Sequence, residues 1–179
     1  PYRRQRQMCI RDRIMLYSME EGLGDSSELV TMLDDAIAGD PQNIELWFSR
    51  AQIFVSLEDY DEAIASLEKA IELNPQSYEA QFFTGYYIIM KADALNQEAN
   101  EKEYTNAGEY EADQKEILSI YSQAVPYLEV AHEIMPQNPD PVQLLKTLCY
   151  RLRDEPGMME KYEKYNELYN CLLYTSPSP

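Results

Sequence analysis

The sequence has one histidine, one tryptophan, three cysteines and six glycines in 179 residues. Each shortage excludes a class of chemistry. A histidine-based metal site or a catalytic pair needs partners at set spacing, and His132 has none in sequence. Cys9, Cys149 and Cys171 lack metal-ligand spacing and are too few for a disulfide framework. No glycine-rich phosphate loop exists. GLGDSS has the wrong spacing and no lysine, and reads as the turn before a helix cap. EDYDE alternates acids as calcium loops do, but lacks their glycine and terminal glutamate. No cofactor is expected. No run of eighteen apolar residues is present, so no span as a helix is expected. Basic residues are scarce as well: 15 Lys+Arg stand against 32 Asp+Glu, a net charge of −17. That balance argues against nucleic acid as a partner.

What the chain does have is a period of 34. In ELWFSRAQIFVSLEDYDEAIASLEKAIELNP, small residues (Ala51, Ala63, Ala70) alternate with fillers (Trp47, Phe54, Leu67) at helical spacing. Asp59 is placed to cap a second helix, with Glu62 as its capping-box partner, and Pro75 stops that helix. Shifted by 34, Asp25, Glu28, Leu33, Ala36 and Pro41 match Asp59, Glu62, Leu67, Ala70 and Pro75. AVPYLEVAHEIMP repeats the second-helix pattern, but its Pro136 falls 27 residues late. Its first helix is QFFTGYYIIM, with Gly85 at the small position. An insertion near 91–117 therefore lengthens this helix pair, with the turn in TNAG, Gly108 as its positive-φ residue and Pro126 inside the long second helix. A last unit begins at PDPVQLLKTLCYRL, where Asp140 is a candidate N-cap and Pro141 suits the first turn.

The 44–75 stretch resembles a tetratricopeptide repeat, a helix–turn–helix unit with the pattern W-x2-L-G-x2-Y, A-x3-F, P. Arg50 departs from it, standing where leucine is usual. The resemblance implies an all-α fold, an α-solenoid of antiparallel helix pairs with units near 14–43, 44–77, 78–138 and 139–170. By position in such a unit, the first helices line a groove. Its residues would be Glu45, Phe48, Gln52 and Val55, then Glu79, Phe82, Tyr86, Ile89 and Met90, then Gln143, Thr147, Tyr150 and Arg151. The lysine–asparagine clamp that holds a terminal carboxylate in chaperone-binding relatives is absent, and Arg151 is the one cation on this face. Phe82, Tyr86 and Ile89 either offer an aromatic peptide groove or pack against the inserted segment or a missing repeat.

The two ends read differently. Residues 1–13 hold five arginines in an otherwise acidic chain. MCIRDR and CLLYTSPSP translate one DNA element, CTGTCTCTTATACACAT, read in opposite orientations. That element resembles a sequencing-library transposon adapter. Residues 1–13 and 171–179 are therefore expected to be non-native segments that pack little on the body, although their helix-permissive residues can continue the flanking helices by a turn or two. Removing their net +4 leaves the body at −21. On this reading the chain is a fragment truncated at its start, and KYEKYNELYN lies close to a natural end.

The resulting functional expectation is a non-catalytic scaffold that binds a protein or peptide with an apolar or basic segment. The general look is similar to bacterial envelope repeat proteins, which implies a periplasmic or envelope location. The alternative is a regulatory or substrate-presenting segment of a larger enzyme, distinguished by reading the open frame upstream of Arg13.

Overall fold

The computed structural model describes residues 26–175. They form seven helices: α1 (Ser26–Gly39), α2 (Ile44–Ser56), α3 (Tyr60–Leu73), α4 (Tyr78–Glu101), α5 (Ala107–Ile134), α6 (Pro139–Arg151) and α7 (Met158–Thr175). No strand occurs among the described residues. The close helix packing is between consecutive helices, as a one-dimensional stack requires. The fold is an α-solenoid. The expected first helix near Arg13, the basic arm and the Asp25 cap lie outside the described residues.

Apolar periodicity explains the stacking. Ala51, Ala63 and Ala70 are essentially inaccessible and bring α2 and α3 together around Leu67 and Phe54. Leu33 and Ile37 of α1 pack on Leu46 and Ile53 of α2. From α4 onward a larger core runs through Ile88, Tyr121, Leu128, Leu145, Leu148 and Tyr165. At Gly85 the helices α4 and α5 cross so closely that an added Cβ would lie 2.7 Å from Leu128 Cγ.

The short connections are built from caps. Asp59 accepts a hydrogen bond from the Glu62 amide, 3.2 Å. The capping box is nevertheless half made, because the Glu62 carboxylate pairs with Arg50 instead, 2.9 Å. Arg50 also pairs with Asp34 of α1, donates to the buried Ser66 Oγ at 2.7 Å and stacks on Phe54. The departure from leucine thus places a guanidinium that joins three helices. Helix α2 is capped by Leu57 and followed by Glu58 at φ 60°, where the Asp59 and Glu58 amides reach the Phe54 and Val55 carbonyls.

The insertion does lengthen the third pair. Helices α4 and α5 have 24 and 28 residues, against 13 and 14 in α2 and α3. At 1.5 Å per residue they are about 36 and 42 Å long. Ala92 and Ala99 let their outer halves close on Ile117. Helix α5 runs on through Pro126. Two local expectations fail. Gly108 lies inside the first turn of α5, and the turn precedes it, closed by Asn106 as N-cap with Glu109 reaching back to Thr105. The α6 cap is Asn138, with Asp140 one residue inside the helix, because the helix already starts at Pro139. At the C-terminal end the packing is greater than expected at one residue. Helix α7 passes residue 170, and Leu172 is buried in the main core although Leu173 beside it is exposed.

Candidate functional site

The first helices α2, α4 and α6 begin alike. Asn43, Ser77 and Asn138 cap them, and each puts an acid in the first turn: Glu45, Glu79 and Asp140. The helix dipole favours carboxylates there. All three are exposed, so the capping pattern also lays a row of acids along one end of these helices. The rows at α4 and α6 meet. Asn138 Nδ2 donates to Tyr78 Oη at 2.8 Å, and burial with the charges of Asp140 and Glu79 raises the Tyr78 phenol.

Below that row, helix spacing aligns Tyr78, Phe82 and Tyr86, four residues apart. Their rings stack, with centroids 5.6 Å apart for Tyr78–Phe82 and 6.2 Å for Phe82–Tyr86, the latter nearly parallel. Phe83 meets Phe82 edge-on, and Tyr87 joins both Phe83 and Tyr86. Phe82 and Ile89 are half-buried against the main core, whereas Tyr86 and Phe83 keep 38% and 37% of their surface exposed. Tyr86 and Phe83 therefore rest on the fold without being covered by it, while Tyr87 is buried in the core.

The remaining groove residues divide. Phe48, Val55 and Met90 pack partly buried on the Ala51–Phe54–Tyr87 cluster. Gln52, Gln143 and Thr147 are exposed. Tyr150 is exposed, but its ring lies against Tyr162 of α7, 5.5 Å away, and under Arg153. It does not join the α4 ladder. Arg151 is committed internally. It pairs with Asp93 of α4 at 2.8 Å, hydrogen-bonds Tyr121 of α5 and stacks on that ring. Tyr121 in turn donates to Asp93. Burial, then the bond to Asp93, pushes its phenol far above the usual range, so it stays a donor. This triad binds the inserted pair to the last unit. It was not foreseeable from sequence, because its members are 28 and 58 residues from Asp93.

Chemically reactive groups are muted. Burial pushes the Cys149 thiol up to about 11, which leaves little thiolate at neutral pH. His132 Nδ1 is buried with no hydrogen-bond partner, and burial together with Lys164 holds its pKa below the ordinary value. Among the described residues no three His, Cys, Asp or Glu side chains converge as a metal site. No described helix is long and apolar enough to cross a membrane.

Comparison with known proteins agrees with this architecture. The tetratricopeptide repeat family model matches residues 44–77. A 75-residue stretch, 40% of the chain, is 35% identical to human Tetratricopeptide repeat protein 28, of which it spans 3%. Among solved structures, MamA AMB-1 superposes with a TM-score of 0.59 at 15% identity, covering 92% of this chain and 71% of that one. MamA MSR-1 gives 0.54 at 18% identity, covering 86% and 71%. At such identities the likeness speaks to fold. Residues 44–77 are a tetratricopeptide repeat, set in an α-solenoid of stacked helices.

Proposed function

We propose that the chain is a non-catalytic scaffold that holds an apolar or basic segment of another protein against the face of its first helices. The observation that carries this reading is the Tyr78–Phe82–Tyr86 ladder, with Tyr86 and Phe83 more than a third exposed. Clustered exposed rings on a solenoid surface mark contact sites. Rigid aromatic rings also lose little freedom on binding, which suits them as anchors. Glu45, Glu79 and Asp140 at the edge favour a cationic partner and disfavour an acidic one. With Arg151 neutralised by Asp93, the face has no free cation among its named residues to offset those acids. The resemblance to envelope repeat proteins favours a periplasmic or envelope location, which cell fractionation tests. The binding test is a pull-down with the full-length protein, wild type against Phe82→Ala and Tyr86→Ala. Loss of a partner by folded variants is expected. Retention of every partner by both would overturn the reading.

A further inference from the structure

A second surface lies on the opposite side of the stack. Helices α3 and α5 run side by side over α4 and leave a cleft of about 340 Å³ between them. Its lining includes three isoleucines from three helices, Ile64, Ile88 and Ile120, beside Pro126 and Tyr127 of α5. Ile88 is buried as the floor, and Ile64 and Ile120 are half-buried walls. On α4, Ile88 and Lys91 lie about 160° and 140° around the helix from Tyr86 at 3.6 residues per turn. The cleft is therefore not part of the aromatic face.

Two bridges hold it open. At one end Lys91 Nζ pairs with Asp61 at 2.5 Å, tying α4 to α3. At the other, Tyr127 Oη donates to Glu68 at 3.0 Å, tying α5 to α3. Pro126 on the α5 wall has no amide hydrogen, so the regular helical bond to the Ser122 carbonyl is missing. The volume is at the low end of the roughly 300–1,000 Å³ of ligand pockets. It is open to solvent, which suits side chains presented by another protein better than an enclosed small molecule.

We infer that this cleft is a second docking site, taking one or two aliphatic side chains of a partner segment flanked by lysine or arginine. Charge complementarity selects that occupant. The rim carries two carboxylates, Asp61 and Glu68, against one ammonium that Asp61 already engages. The chain as a whole is at −17, so an acidic segment would be repelled before it reached the isoleucines. The site is independent of the aromatic face.

The test uses the full chain with labelled isoleucine methyls and three ten-residue peptides: alternating lysine–leucine, glutamate–leucine and lysine–serine. The lysine–leucine peptide is expected to shift the methyls of Ile64, Ile88 and Ile120, and the other two to leave them in place. Ile120→Gln should weaken binding at least tenfold. The double substitution Asp61→Asn with Glu68→Gln sits on exposed positions and should weaken it with a shallower salt dependence. It decides the matter if Ile120→Gln does not fold. The same peptide also suits the aromatic face, so the isoleucine methyls are the readout: their shifts should persist in Tyr86→Ala. Absence of the methyl shifts, equal shifts with the glutamate–leucine peptide, or their loss in Tyr86→Ala would overturn the cleft. The last of these would leave the aromatic-face reading standing.

Discussion

Gly85→Ala sets two known effects against each other. Alanine is favoured over glycine inside a helix by about 1 kcal/mol. Against this stands the crossing of α4 and α5, where the new Cβ would sit 2.7 Å from Leu128 Cγ, 3.0 Å from its Cδ2 and 3.3 Å from the Ala124 carbonyl oxygen. Leu128 and Ala124 are fully buried, so neither has solvent to move into. The nearest atom is a branch-point carbon, not the tip of a flexible chain. Overpacking of this kind costs about 1–3 kcal/mol, and such geometry belongs in the upper half of that range. The net expectation is destabilisation by about 1–2 kcal/mol. In a chain of this size that lowers Tm by roughly 2–8 °C. Gly39→Ala is the matched control, because nothing lies within 4 Å of its added Cβ. Urea titration followed by circular dichroism, with unchanged m-values, measures both. A Gly85→Ala protein as stable as wild type would show that the crossing widens freely and that the packing reasoning is wrong.

Other expectations rest on single contacts. The tip of the inserted pair, residues 98–112, is largely exposed and should exchange amide hydrogens faster than 44–75, and uniform protection would contradict the extended-pair reading. Burial, then the bond to Glu68, pushes the Tyr127 phenol up to about 12. Its stabilising contribution is fully present below the unfolded pKa near 10 and is lost as pH rises to about 12. Tyr127→Phe should flatten that part of the stability profile, and an unchanged profile would reject the cause. Leu172→Ala should cost about 2 kcal/mol while Leu173→Ala costs almost nothing, and equal effects would show that the end of α7 does not dock on the core.

Much of the architecture could be read in advance because its determinants are local. Ala51, Ala63 and Ala70 recur with helical spacing and are buried as small contact residues. Asp59 caps α3, and the late Pro136 correctly required two long helices. What escaped were choices among chemically equal neighbours and contacts made at a distance. Asn138 and Asp140 are both good caps two residues apart, and Pro139 at the first helical position decided between them. Glycine at 108 suggested a positive φ, but Asn106 capped the helix before it. Glu62 fitted a capping box until Arg50, twelve residues away, took its carboxylate. On the aromatic face, Phe82 and Tyr86 come together because they share a helix. Tyr150 does not join them because Tyr162, unseen in the periodicity, lies nearer.

The most direct measurement is a calorimetric titration of a captured partner segment into wild type and Tyr86→Ala. Tyr86 is exposed and makes no hydrogen bond that the core needs, so its truncation tests the surface and not the fold. A hot-spot aromatic is worth roughly 2 kcal/mol or more, which is about a thirtyfold rise in Kd. Weakening of that size, with Tm unchanged, is the predicted result. Equal affinity for the two proteins would contradict the assignment of the first-helix face as the binding site.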